Sequence, residues 1–173
     1  TPTICKTGIY IKTIKINQVE EKFEVQFYWW LRVDNTEPGK DYAFVTDIEV
    51  VNGQGDFTET FGRVDEAKHN FYSTGYSKME LPFKADYMRF PFDEQRLDIA
   101  FENKTVGKNL LRYLPDDKDR FINDTKNHNV DILNGDEFKI SRFAQRDMVY
   151  TYQTRFGDVD IEGYDDYHRI IFS

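Results

Sequence analysis

The sequence predicts an all-β protein, a β-sandwich of about ten short strands that forms a single domain over residues 1–173. Three observations support this prediction. Apolar and polar residues alternate through most of the chain, which is the period of a half-buried strand. Turn clusters rich in Gly, Pro, Asn and Asp recur about every eight to twelve residues. No stretch shows the period of a long amphipathic helix.

The first two strands show the clearest alternation. Residues 8–17 alternate until the pattern shifts near Thr13, which predicts a β-bulge. Residues 23–35 are apolar at every odd position and predict a strand with one buried face. The even positions should face water, yet Tyr28 and Trp30 place two large aromatic rings there. These rings are therefore candidates for contact with a ligand or a partner.

The next elements follow in chain order. Residues 36–41 predict a turn, and residues 42–53 predict one or two short strands that end at an Asn-Gly turn. Residues 55–64 and 70–81 predict a pair of strands, joined by a polar segment that is compatible with a short helix.

The second half of the chain is less regular. Residues 95–103 predict a strand, and residues 104–137, rich in Asp, Lys and Asn, predict long loops with one short strand. Residues 138–158 and 164–173 predict the last two strands. This spacing of short strands is typical of an immunoglobulin-like sandwich.

Composition narrows the class of protein. The net charge of −8 argues against a nucleic-acid partner, because phosphates are bound by basic surfaces. Cys5 is the one cysteine, so there is neither an internal disulfide nor a Cys-based metal site. No apolar run is long enough to span a membrane. The chain ends abruptly on an apolar strand, and we therefore expect it to be part of a longer protein.

Sequence motifs for catalysis are missing. His69, His128 and His168 are far apart and have no metal-ligand spacing. There is no phosphate-binding loop and no nucleophile motif. We therefore expect a binding module rather than an enzyme, with no cofactor. Acidic loops such as residues 115–119 offer oxygen ligands for Ca²⁺, but none has the spacing of a calcium-binding loop.

The most informative segment is "FKADYMRFPFDEQRLDI", residues 83–99. Its centre places two aromatic residues beside a proline that fixes the backbone, and an acidic residue follows. This centre consists of Phe90, Pro91, Phe92 and Asp93. The segment resembles the signature loop of pentameric ligand-gated ion channels, the Cys-loop receptors and their bacterial relatives.

In that family two cysteines with thirteen residues between them close the loop. Phe83 and Leu97 stand at the two cysteine positions here, so the chain resembles the prokaryotic members that lack the disulfide. The family's Trp-x-Asp motif after the second strand is also missing, with Val33 and Asn35 at its positions. Residues 46–57 resemble the stretch that leads to the family's first binding loop, although Thr46 replaces a proline. The last two strands resemble the family's ninth and tenth strands, with the flexible capping loop between them.

The resemblance implies a fold, a location and partners. It implies an extracytoplasmic ligand-binding domain on the periplasmic or extracellular face of a bacterial membrane. Five identical subunits would form a ring, ligands would bind between neighbouring subunits, and a transmembrane region would follow Ser173. The loop over residues 83–97 would pass the binding signal to the pore, so its four central residues would couple rather than bind.

The resemblance also implies a ligand site. Its candidate residues are Tyr28, Trp30, Arg32, Val51, Asn52, Phe71, Ser73, Glu102, Asn103, Lys104, Phe156, Asp158 and Tyr164. Val51 and Lys104 replace two walls of the aromatic box that holds a quaternary amine in the family. The expected ligand is therefore a small molecule that is either an amine or a small carboxylate, the latter met by Lys104 or Arg32.

Two other functions remain open from the residues alone. The same sandwich serves as the periplasmic sensor of signalling proteins such as histidine kinases, and residues 7–14 resemble such sensors. The residues after Ser173 would separate the two readings, because a channel continues into four closely spaced apolar helices. An immunoglobulin-like adhesion domain is a weaker alternative, since the Cys…Trp…Cys spacing is missing.

Overall fold

The structure, a computed structural model, describes residues 1–85, 95–116, 145–151 and 166–172. The predicted coupling residues and the predicted capping-loop residues lie outside the described residues. These are Phe90, Pro91, Phe92, Asp93, Phe156, Asp158 and Tyr164.

Most of the described residues lie in strands, as the sequence predicts, and the all-β fold class is confirmed. One short 3-10 helix, η1, accompanies them. The elements are β1 (Thr3–Asn17), β2 (Lys22–Asp34), η1 (Ala43–Thr46), β3 (Ile48–Val50), β4 (Gln54–Asp65), β5 (Asn70–Pro82), β6 (Ile99–Asn103), β7 (Leu111–Pro115), β8 (Gln145–Thr151) and β9 (Asp166–Phe172).

The strands form two sheets. The larger has the order β4-β5-β2-β1-β7 and the smaller the order β3-β6-β9-β8. All the pairs are antiparallel except β1 with β7, which run parallel from Thr3 beside Leu111 to Thr7 beside Pro115. The short strand expected within residues 104–137 is β7, and the predicted last two strands pair as β8 and β9.

The alternation of β2 decides which face of the larger sheet is buried. Its odd positions from Phe23 to Val33 are buried, and we call their side of the sheet the inner face. Phe101 of the smaller sheet packs on this face, with ring centroids 5.9 Å from Phe27 and 5.5 Å from Phe57. Complete burial of one such ring contributes about 1.5–3 kcal/mol. The opposite side, which carries Tyr28, is the outer face.

The bulge predicted near Thr13 is present in β1. Ile11 pairs with Phe27 and Thr13 pairs with Gln26, so Lys12 is the extra residue on the bulged strand. Lys12 keeps the alternation that places Tyr10 on the outer face, and the bulge brings Thr13, opposite Gln26, to the same face. The Lys12 Nζ lies 5.8 Å from the centroid of the Tyr76 ring.

Residues 42–46, which the sequence places in a strand, instead contain η1, and that part of the prediction is wrong. Local hydrogen bonds account for the difference. The Asp41 carboxylate accepts from the Ala43 N–H at 2.9 Å, and the Thr46 hydroxyl donates to the Ala43 carbonyl at 2.7 Å. Short polar side chains of this kind satisfy the backbone within a turn and compete with strand pairing.

The polar segment between β4 and β5 forms a turn rather than a helix. The Asp65 carboxylate accepts from the Lys68 N–H at 3.1 Å, and His69 adopts a φ of 51°. A left-handed residue of this kind ends a turn and returns the chain to the next strand. β4 and β5 therefore pair as neighbouring strands, as predicted.

A buried thiol and a buried phenol lie side by side where β1 meets β7. Cys5 pairs with Tyr113 across the two strands, and both side chains are buried. Burial raises the pKa of the Cys5 thiol to about 12. Burial also raises the pKa of Tyr113 well above its usual value, with a further increase from the neighbouring Cys5. Both groups are therefore neutral in the folded protein at ordinary pH.

We expect the protein to lose stability at alkaline pH. The unfolded chain ionises its thiol near pH 9 and its tyrosine near pH 10, while the folded chain keeps both protonated. Their contribution to stability is thus complete below pH 9 and decreases as the pH rises towards 12. Melting temperatures measured from pH 7 to 11 should fall above pH 9, and less steeply for Cys5→Ala. An unchanged slope in this variant would contradict the assignment.

Candidate functional site

Three tyrosines cross the outer face of the larger sheet in one line. Tyr10 of β1 pairs with Tyr28 of β2, and Tyr28 pairs with Tyr76 of β5. We call these three residues the tyrosine row. Tyr28 is 45% exposed and Tyr10 43% exposed, and the Tyr28 and Tyr76 ring centroids are 5.2 Å apart. Because exposed aromatic surface of this kind marks contact sites, the row is the centre of the candidate site.

Polar groups hold the row in place. The Tyr76 hydroxyl donates a hydrogen bond to Gln26 Oε1, which fixes the ring of Tyr76 beside that of Tyr28. The ammonium of Lys12 reaches across β2 to the same Tyr76 ring. The row therefore offers aromatic area, one positive charge and polar side chains on a single face.

Trp30 shares the face of Tyr28, as predicted, but it is half-buried and held by its own contacts. Its cross-strand partner is Gly8, and a Cβ at Gly8 would collide with the indole ring. The ring therefore lies flat across β1. The indole N–H donates to Asp116 Oδ2 at 2.9 Å, so the polar end of Trp30 already has a protein partner.

Arg32, also predicted to meet the ligand, is paired inside the chain. Its Nη1 and Nη2 donate to the two oxygens of Asp116 at 2.9 and 3.1 Å, and its Nε donates to Asp34 at 3.1 Å. Asp116 is 1% exposed. Partial burial by itself would lower the pKa of Arg32, but Asp116 and Asp34 raise it overall. Carboxylates of the chain itself thus use three of the five N–H donors of this guanidinium.

Phe71 and Ser73 do not share the face of Tyr28. Both are buried on the inner face, and the Ser73 hydroxyl has no hydrogen-bond partner among the described residues. The β5 residues beside Trp30 and Arg32 on the outer face are Thr74 and Tyr72. The structure thus separates Phe71 and Ser73 from the tyrosine row.

Val51 and Asn52 line a small pocket at the end of the smaller sheet. The pocket has a volume of about 200 Å³ and includes Ala100 and Arg169. The Val51 N–H donates to the Ala100 carbonyl at 2.9 Å, which holds the turn after β3 beside β6. Asn52, at φ 61°, completes the turn.

Glu102 lies next to this pocket and is paired across the smaller sheet. It stands opposite Arg169 of β9, whose Nε and Nη2 donate to Glu102 Oε2 at 3.0 and 2.8 Å. Glu102 is 3% exposed. A buried carboxylate of this kind is held by its charged partner. The sequence gives no local sign of this pair, because 67 residues separate its members.

Asn103 has a structural role in the described residues. Its amide donates to the Phe44 carbonyl and to the Tyr113 hydroxyl, and its oxygen accepts from the Val106 N–H. Lys104 is exposed, and its N–H donates to the Asp47 carbonyl. Lys104 follows the last residue of β6, whereas the Val51 N–H donates to Ala100, near the beginning of β6. The two predicted box positions therefore lie at opposite ends of β6.

Across residues 1–85, 95–116 and the two short later segments, no group of three or more His, Cys, Asp or Glu side chains is arranged to hold a metal ion. Within the same ranges, no helix has the length and apolar character that crossing a bilayer requires.

Comparison with known proteins gives no family assignment. No protein-family model matches the sequence, and no curated protein is similar to it at a significant level.

Proposed function

We propose that the chain is the extracytoplasmic ligand-binding domain of a prokaryotic pentameric ligand-gated ion channel, with an immunoglobulin-like sandwich of about ten strands. A small ligand would bind between adjacent identical subunits. The observation that carries the proposal is the exposed tyrosine row. It lies on the face of β2 that the resemblance assigns to the ligand-facing side, and Tyr28 stands at the family's aromatic position.

The shape of this face supports a site made by two subunits. The tyrosine row lies on the open surface of a sheet, whereas small-molecule sites are concave and bury most of the ligand. A second wall is therefore needed, and a neighbouring subunit would provide it. A ligand held between two subunits changes their relative position, which is how such a domain would act on a pore.

The remaining parts of the proposal come from the resemblance. The domain would stand on the periplasmic or extracellular side of a bacterial membrane, joined to a transmembrane region after Ser173. The loop over residues 83–97 would contact that region and couple binding to opening. β8 and β9 pair as neighbouring strands, which agrees with the family's ninth and tenth strands.

Replacing Tyr28 with Ala tests the proposal. A thermal-shift screen of small amines and carboxylates first identifies a binder. Tyr28→Ala should then weaken its binding by about 1–3 kcal/mol, because the complex loses an aromatic anchor that the bound ligand would bury. Titration calorimetry measures the change. Tyr28 is 45% exposed in this chain, so the melting temperature of the free protein should change little.

Two controls accompany this variant. Tyr28→Phe keeps the ring and should keep most of the affinity. Thr58→Ala removes an exposed side chain of β4 that lies beside Tyr76, at the edge of the tyrosine row, and should have little effect on affinity. Unchanged affinity in Tyr28→Ala, or a large loss of stability without an effect on binding, would contradict the proposed site.

A further inference from the structure

We propose that Lys12 makes this site selective for ligands that carry a carboxylate. The inference rests on the proposed function and chooses between the two ligand classes that the sequence leaves open. It also moves the expected anion contact from Arg32 and Lys104 to a residue that the sequence analysis did not assign to the site.

Lys12 lies where a ligand on the tyrosine row would lie. It follows the alternation of β1 after Tyr10, so its exposed side chain extends over the outer face, on the strand next to Tyr28. Its ammonium reaches the ring of Tyr76, which in turn contacts the ring of Tyr28. A ligand held against these two rings would therefore meet the ammonium directly.

Several other cations of the outer face are already engaged within the chain. Arg32 holds Asp116 through two hydrogen bonds, and Lys78 lies 3.7 Å from Glu24. Lys22 lies 3.4 Å from Glu80, and the Arg63 guanidinium lies 5.7 Å from the Tyr72 ring centroid. In the part of the chain that the structure describes, Lys12 forms no ion pair with a carboxylate. A ligand held on Tyr28 and Tyr76 can therefore reach Lys12 without breaking an existing ion pair.

Charge then decides between the two ligand classes. An amine placed on Tyr28 and Tyr76 would compete with Lys12 for the ring surface and would be repelled by its ammonium. A carboxylate would instead accept a charge-assisted hydrogen bond from that ammonium, while the apolar part of the ligand covered the rings. The expected ligand is a small carboxylate with an apolar or aromatic body.

A carboxylate on a neighbouring subunit is the other source of the same chemistry. The chain has a net charge of −8, so an Asp or Glu of a second copy could also approach Lys12. The two sources differ in what Lys12→Gln changes. If a ligand supplies the carboxylate, selectivity between ligands changes; if a neighbour supplies it, self-association changes and selectivity does not.

Calorimetric titration with three matched probes tests the proposal. The probes are 3-phenylpropionate, 3-phenylpropanamide and 3-phenylpropylamine, which share one body and differ in charge. The wild-type protein should bind the carboxylate tightest. Lys12→Gln should reduce the preference for carboxylate over amide by about tenfold or more, as loss of a charge-assisted contact does. Lys12→Glu should reverse the preference in favour of the amine.

Lys15→Gln is the matched control, because Lys15 is an exposed lysine of the same strand, paired with Glu24. It should leave the preference unchanged, and sedimentation of each variant reports self-association. An unchanged preference in Lys12→Gln, with binding still lost in Tyr28→Ala, would overturn the role of Lys12 and leave the proposed function standing. If binding is unchanged in Tyr28→Ala as well, or if no probe binds, both the role of Lys12 and the proposed function are contradicted.

Discussion

Replacing Arg32 with Met should lower the free energy of unfolding by about 3 kcal/mol or more, the usual cost of removing one partner of a buried ion pair. Asp116 is 1% exposed and receives two hydrogen bonds from Arg32 and one from the Trp30 indole. Without Arg32 its charge would remain buried with one of these three donors. Urea denaturation measures the loss.

The chain offers a matched control for this variant. Arg96 donates to Asp98 at 3.0 Å with the same spacing as Arg32 and Asp34, but both partners are exposed. Arg96→Met should therefore change stability by no more than about 1 kcal/mol, as is typical of exposed pairs. Asp116→Asn should cost less in the Arg32→Met background than in the wild type, because there it removes a buried charge that has already lost its Arg32 contacts. Equal losses in Arg32→Met and Arg96→Met would refute the buried pair.

A second large effect is expected from Gly75→Ala. Gly75 lies on the inner face of β5, opposite Trp29 of β2 and Glu59 of β4. A Cβ at this position would collide with the Thr58 carbonyl and with the Trp29 indole, which stacks on Phe57 at 4.4 Å. Neither the backbone nor the stacked ring can move without disturbing the core. We expect a loss of about 1–3 kcal/mol, the range of overpacked cores.

Gly62→Ala is the comparison for this variant. Gly62 lies on the neighbouring strand β4, and a Cβ there would meet the end of the exposed Glu59 side chain. That carboxylate can rotate into solvent, so the stability should change by less than about 0.5 kcal/mol. Thermal or urea unfolding of the two variants gives the difference. Similar stabilities for Gly75→Ala and Gly62→Ala would show that the core around Trp29 adapts easily.

Local periodicity was sufficient to predict the elements and several faces. The alternation over residues 23–35 correctly separated the buried Phe27 from the exposed Tyr28, because side chains on one strand alternate strictly. The shift of pattern near Thr13 correctly indicated the bulge. Both features depend on a few consecutive residues, so the local sequence is sufficient to predict them.

Features that depend on pairing between distant strands were not predictable in this way. A shift of one residue exchanges the two faces of a strand. This explains why Thr74 and Tyr72, and not Ser73 and Phe71, lie beside Trp30 and Arg32. The same applies to the contact of Arg32 with Asp116, which are 84 residues apart in sequence. Only the fold brings that carboxylate to β2, whereas the family resemblance implies a ligand as the partner of the guanidinium.

The parallel pairing of β1 with β7 has a consequence for how the chain folds. β1 can pair with β2 as soon as both are synthesised, but its other edge stays open until Leu111–Pro115 arrives. Contacts between such distant segments form slowly, because a long loop must close first. We expect the β1–β2–β5 sheet to form before β7 docks. The Arg32–Asp116 contact, which lies just past β7, would then be among the last to form and would act chiefly on the unfolding rate.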